Sequence, residues 1–548
     1  MHRLIPIVTI AAVGLSGAAS YAQINARPDS APSAPAAQSP IPASPPRPVV
    51  AADLGQALQA VRARQLTRAR EIQGALADPV ARKLVDWAIV DALGRELGTF
   101  ELERLARELE GWPREDARRR AMERTAGAQL PSGPVPYTAL GPSAPSAGQG
   151  FHQRRLRMNE ALRAGDATGA YQAISAHGLP PGGVDYAEAE SFAGWLALNK
   201  LRNPRLADQH FARLEAAVKS PVSKARAAYW RGRAAEALGE PAKARAFYEQ
   251  GAEHTTTFYG QLAAERAGHK ELVLTPDPTP TAAERSAFEA RELVRAMELL
   301  SRAGERELVR VFALHLGDVV ADRSELALLV DRLKGLGHQE ASLLAYRRGA
   351  QRGLILHERG YPVVTPPAVA NGAEPALVLS IVRQESQFDP SVRSSANARG
   401  MMQLLPGTGR EMAQKIGMAW NESVLWDADQ NMRLGSRYLG HLTSHFSGSY
   451  LLATAGYNAG PGRPAQWVQF CGDPRSASVD PLDFIECIPF GETRNYVMNV
   501  ASNLQVYRAR LNGGRAPLTA WQDLRRGAWG SAGTQVVANP SGTAAGSP

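Results

Sequence analysis

ALVLSIVRQESQFDPSVRSSANARGMMQLLPGTG, running from Ala376 to Gly409, opens as a helix and then breaks. Ala376 to Val382 is an apolar run of helical character, followed by Arg383, Gln384 and the carboxylate of Glu385 at its polar end. Ser386 comes next, and Phe388-Asp389-Pro390 ends the pattern, because proline disfavours helical geometry in the residue before it. Mainly small residues, Ser394 to Gly400, lead into a second apolar segment, Met401 to Leu405, which Pro406 is expected to stop. A carboxylic acid at the polar end of a buried helix, facing a Gly/Ser-rich loop, is a common construction for a proton donor of raised pKa. A lone glutamate on an amphipathic helix is ordinarily a solvated surface residue, so the assignment depends on its companions.

Three companions lie downstream. DADQNMRLGSRYL (Asp427 to Leu439) reads as a helix with Met432, Gly435, Tyr438 and Leu439 on one face. In AGYNAGPG (Ala455 to Gly462), Tyr457 and Asn458 precede a Gly-Pro-Gly turn. IPFGETRNYV (Ile488 to Val497) brings Glu492, Arg494 and Tyr496. Taken singly, each has an ordinary structural reading: a helix C-terminus for Tyr457-Asn458, an exposed ion pair for Glu492 and Arg494.

The rest of the chain sets the context. At 548 residues, 44% hydrophobic and 21% charged, it is long enough for several domains and has the composition of a globular protein. His2-Arg3, the apolar run Leu4 to Leu15 and the small residues Ser20 and Ala22 read as a secretory signal over 1–22, too short to span a membrane. A Pro/Ala/Ser-rich leader, 23–52, lacks the apolar residues that would offset ordering entropy and is expected to be disordered. From 53 to 275 short helices follow one another, as in ARAAYWRGRAAEAL (225–238) and AKARAFYEQGA (242–252), where Tyr229, Trp230, Ala234, Ala235 and Leu238 face Ala244, Phe247 and Tyr248. That small–large alternation suits closely stacked antiparallel helices, a degenerate α-solenoid. A Pro-rich hinge, Leu272 to Ala282, opens a helical linker over 276–365; the segment quoted above begins a domain over 366–512, and 513–548 reads as a largely disordered tail.

The net charge of +9 is spread among interleaved Arg and Glu, and export removes nucleic acid as a partner. A basic surface still favours approach to an anionic polymer such as the bacterial cell wall. The two cysteines, Cys471 and Cys487, are expected to pair in an oxidising compartment, the alternative being two free thiols. Neither has a ligand partner at metal spacing, so no metal and no cofactor is expected.

Together and in this order, the segments closely resemble the soluble lytic transglycosylases that cut bacterial peptidoglycan and have a goose-lysozyme-like catalytic domain. The matching residues are Glu385-Ser386; Gly400, Met402, Gln403, Leu404 and Pro406; Asn431, Gly435, Tyr438 and Leu439; Tyr457 to Gly462; and Glu492, Thr493, Arg494, Tyr496 and Val497. Leu405 departs from a frequent Met, Gly456 from the usual Ala before the tyrosine, and Gly409 from an Ala. The Cys471/Cys487 loop belongs to no motif matched.

The resemblance implies a mostly α protein: an α-superhelical solenoid, suggested to be ring-shaped, followed by a lysozyme-like α catalytic domain. It implies Glu385 as the single acid and base, with 1,6-anhydromuramic acid as product. Ser386 would orient the carboxylate, and Met402, Gln403, Leu405, Tyr457, Asn458, Glu492 and Tyr496 would line the substrate cleft. Peptidoglycan glycan strands are the expected partner, with envelope or cell-wall synthesis proteins as further ones; the expected form is a periplasmic monomer without a membrane span. A goose-type muramidase would instead use water, with Asp389 or Glu492 as base. A non-catalytic envelope scaffold is the remaining alternative.

Overall fold

A computed structural model describes residues 49–128 and 147–527. The expected signal, the leader up to residue 48, residues 129–146 and the tail beyond 527 lie outside the described residues. The chain is mostly α-helical, with one two-stranded antiparallel sheet among the described residues. None of the described helices is long and apolar enough to cross a membrane.

Helices Pro204–Ala217, Pro221–Ala237, Pro241–Ala252 and Phe258–Ala267 stack in sequence. Three begin with proline at the first turn, where its missing N–H costs nothing and its fixed φ suits the helix. Asn203, Ser220 and Thr257 cap their helices by accepting backbone N–H bonds. Tyr229, Trp230, Ala234, Ala235, Ala244 and Tyr248 are buried between them as the small–large pattern requires, while Leu238 and Phe247 are half-buried.

The first helices return to the connector rather than trailing away. Trp87, on Pro79–Leu93, and Trp112 both meet the ring of Phe312 edge-on, at centroid distances of 5.2 and 5.6 Å. Arg295 adds an ion pair to Asp78 at 2.9 Å. Phe312 lies on Arg306–Val319, one of five connector helices between Ala282 and Gln351.

Two segments that the sequence left without structure form elements. The Pro-rich hinge at Leu272 to Ala282 is a fixed joint: Glu271–Val273 pairs with Arg515–Pro517, and the buried carboxylate of Asp277 accepts the backbone N–H groups of Glu358 and Arg359 and pairs with the Arg359 guanidinium at 3.3 Å. In the stretch expected to be largely disordered, the described residues up to 527 include Arg515–Pro517, which supplies that second strand, and the helix Ala520–Leu524. In the first turn of that helix the Trp521 N–H donates to Glu265 at 2.8 Å, and buried Asp523 pairs with Arg508 and Arg526. Neither segment could be recognised alone, since three-residue strands acquire stability only from their partner.

Candidate active site

Helix Pro375–Glu385 buries every side chain from Ala376 to Val382. It is anchored near its end by Arg383, which donates to Gly360 O and Asn503 Oδ1 and lies 4.1 Å over the Tyr361 ring. The helix stops at Glu385, and Gln387 and Phe388 then take left-handed φ values of 53° and 65°. Two successive non-glycine residues in that region are held only when surrounding contacts over-determine them. Phe388 is buried.

Glu385 is partly accessible at the residue level, yet its carboxylate is desolvated. Tyr496, from helix Gly491–Leu511, donates its hydroxyl to Glu385 Oε1 at 2.6 Å. Burial pushes the carboxyl up to about 7, and the charge of Glu492 adds to this while the Tyr496 bond opposes it. A group so poised is protonated and ionised in comparable amounts near neutral pH, which suits one residue to acid and base steps. Ser386 sits elsewhere than expected: its hydroxyl donates to Met401 O at 2.8 Å and Val382 O at 3.3 Å, holding the following loop instead of the carboxylate.

That loop is tied down from the helix Ala428–His445. Asn431, fully buried, accepts the Met402 N–H at 2.8 Å and donates to Arg399 O and Leu425 O, both at 2.9 Å. Gly400 has φ +77°, and a Cβ there would run into Leu425 O and Asn431 Nδ2. A Cβ at Gly435 would strike the Met402 side chain. The N-x-x-x-G spacing is thus one turn of helix serving as a clamp and a groove for Gly400-Met401-Met402. Pro406 does not stop a segment here; it opens helix Pro406–Lys415, while Met401 to Leu405 is a turn with bridges Arg393–Arg399 and Arg399–Leu404.

The remaining predicted residues fall into two sets. Tyr457, on Tyr450–Ala459, is buried and donates to Met402 O at 2.7 Å; burial and the nearby Glu385 push its phenol well up. Asn458 Oδ1 accepts from Thr493 Oγ1 at 2.7 Å, and Asn458 also bonds Glu492, whose carboxyl is raised chiefly by burial. Gln403 bonds inward, Nε2 donating to Val392 O and Gly400 O, and Leu405 is a half-buried residue before helix Pro406–Lys415. Asp389 is committed to the Ser391 backbone N–H and hydroxyl and, at 3.4 Å, to Arg306 of the connector.

Arg494 is not part of an exposed pair. It is 1% exposed, meets Glu188 of the amino half at 2.8 Å and stacks 4.5 Å over Phe192. Cys471 and Cys487 are disulfide-bonded. Their loop carries Asp480, Asp483 and Glu486, three residues apart, onto the helical array: Arg233 pairs with Asp480 at 3.1 Å, the Trp195 indole donates to Asp483 at 2.9 Å, and Arg226 pairs with Glu486 at 2.6 Å. Sequence reasoning missed this face, although an acid at every third residue of DPLDFIEC was the available signal.

Residues 364–476 match the transglycosylase SLT domain. Glu385, Asn431 and Tyr457 fall inside that match, and Tyr496 falls outside it. Residues 487–515 match the soluble lytic transglycosylase helical domain, a match that falls on the Tyr496 helix and not on the amino half. Segment 477–486, with its three acids, lies between the two matched regions. Over 273 residues the chain is 29% identical to a soluble lytic murein transglycosylase of Salmonella typhimurium, and over 135 residues it is 36% identical to that of Escherichia coli K12. These alignments take in 46% and 24% of this chain, and span only 39% and 20% of those relatives' length. The lytic transglycosylase Slt of Pseudomonas aeruginosa, solved as an inactive variant, shares the fold at 22% identity and a TM-score of 0.53, covering 86% of this chain and 74% of that one. Within the matched region Asn431 and Tyr457 both bond Met402, and from beyond it Tyr496 bonds Glu385.

Proposed function

We propose that the chain is a lytic transglycosylase that cleaves the β-1,4 bond between N-acetylmuramic acid and N-acetylglucosamine in peptidoglycan without consuming water. The observation that carries this reading is Glu385, desolvated, bonded by Tyr496 and ionising at about 7. Protonated Glu385 gives its proton to the bridging oxygen as the bond to the muramic acid C1 breaks. The acetamido oxygen of the same sugar closes onto C1. The carboxylate left on Glu385 then takes the proton of the C6 hydroxyl, whose oxygen displaces the acetamido group and forms the 1,6-anhydro bond. The proton returns to Glu385, so the cycle balances with no second carboxylate and no added water.

Asn458 supports the acetamido group in this reading, with its carbonyl occupied by Thr493, while Tyr457 braces the Met402 loop against the sugar. Gln403 and Leu405 belong to the wall of the cleft, Met402 packs beneath it, fully buried against Gly435, and Glu492 both contacts substrate and keeps Glu385 high. Glycan strands in the periplasm are the substrate, a monomer is the working form, and envelope proteins are its further partners. Glu492 is also the base a water-using muramidase would need, since Asp389 is engaged elsewhere.

Mass spectrometry of the sugars released from purified peptidoglycan separates these readings. Muropeptides ending in anhydromuramic acid are expected. Products heavier by one water, with a reducible end, would assign a muramidase with Glu492 as base. Strand binding without any product would leave a scaffold.

A further inference from the structure

The helix Ala428–His445 clamps the Met402 loop with Asn431 and Gly435, and a different face of the same helix lines a cavity of about 640 Å³. Gln430, Arg433 and Arg437 line it from this helix, and Val369, Lys415 and Met418 line it from other segments. Arg433 and Arg437 are both half-buried and one helical turn apart. Among the described residues neither has a carboxylate within 4.0 Å, in a chain where most buried or half-buried arginines are paired. Arg437 has only a long contact, 3.5 Å, to Asn371 O. Lys415 is bound to Glu411 at 2.8 Å, so that pair cancels and the two arginines set the charge of the wall. His441, one turn further on, is held down by burial and then by Lys415 and Arg437.

Two unpaired guanidinium groups on one wall of a concave site suit a carboxylate or another planar oxyanion, which they bind with parallel N–H···O bonds. The apolar lining residues Val369 and Met418 suit a short aliphatic chain beside that group. From this geometry we propose that the cavity is a subsite for a free carboxylate of the peptide stems carried by the glycan strand. The proposal deepens the function above and rests on it for the source of the carboxylate. A helix is about 10–12 Å across and a five-residue stem extends roughly 17 Å, so a stem passing the Asn431 face of this helix has the length to reach its Arg433 and Arg437 face. Peptide-bearing strands would then be preferred through binding, with the chemistry unchanged.

The test compares the wild-type chain with the double variant Arg433→Gln/Arg437→Gln. Calorimetric titration uses the free stem peptide, the same peptide with its carboxylates amidated, and inorganic phosphate. Expected is saturable binding of the free peptide, weakened about tenfold or more by the double variant and lost on amidation, with phosphate a poor competitor. On cleavage, KM should rise severalfold for peptide-bearing strands and stay constant for strands stripped of peptide, with kcat unchanged on both. Peptide binding that the double variant leaves intact overturns the proposal. So does phosphate competing as well as the peptide, which would define a general oxyanion site, or an equal loss on stripped strands. If neither substrate is cut by the wild type, the function fails while the peptide titration still decides the subsite.

Discussion

The Tyr496 hydroxyl donates to Glu385 Oε1 across 2.6 Å, joining the last long helix of the chain to the end of the acid helix 111 residues earlier. This bond favours the ionised carboxyl and opposes the burial that raises it. Tyr496→Phe should therefore move the alkaline limb of the kcat pH profile upward by about one pH unit, the scale of a bond to a charged group. It should also lower kcat, because the carboxylate loses its orientation for the second proton transfer. A limb that stays in place would mean the hydroxyl does not bond the ionised form.

Glu385→Gln should abolish turnover while leaving strand binding intact. It should also alter stability in a pH-dependent way. With a folded pKa near 7 against 4.5 unfolded, the glutamate gives stability that is fully present below pH 4.5 and lost as pH rises through 7, about 3 kcal/mol in all. The uncharged amide escapes that loss. Urea melts should show the variant equal to wild type at pH 4 and more stable at pH 8; no gain at pH 8 relative to pH 4 would mean Glu385 is solvated.

Asn431→Ala removes three hydrogen bonds and leaves Met402 N, Arg399 O and Leu425 O without their partner. A loss of about 2–4 kcal/mol is expected, read as a lower denaturation midpoint. Activity should fall further than stability explains, since the Met402 loop borders the Glu385 carboxylate through Tyr457.

Arg494→Met should destabilise the chain by about 3 kcal/mol, because it removes a buried guanidinium from between Glu188 and Glu486 and leaves Glu188 only its 3.3 Å pair with Arg155. Limited proteolysis should then cut first near the junction of the helical array with the segment 480–486. Unchanged protection there would show that Asp480, Asp483 and Glu486 hold the array without Arg494.

The chain by itself determined the helical character, the acid helix with Glu385 at its end and the order of the site segments, because these depend on local periodicity, capping and turn residues. N-x-x-x-G and Y-N-A-G were legible as motifs, yet their work was not: Asn431 bonds groups 6 to 32 residues away, and Ser386 turns to Met401 instead of the carboxylate. Only tertiary structure decided that Leu272 pairs with Ala516, that Phe312 closes on Trp87 and Trp112, and that the disulfide loop meets the helical array through three acids. The pKa of Glu385 belongs to the same class. A carboxyl's desolvation is set by atoms brought from distant segments, Tyr496 and Glu492 among them, and no spacing within a single helix encodes it.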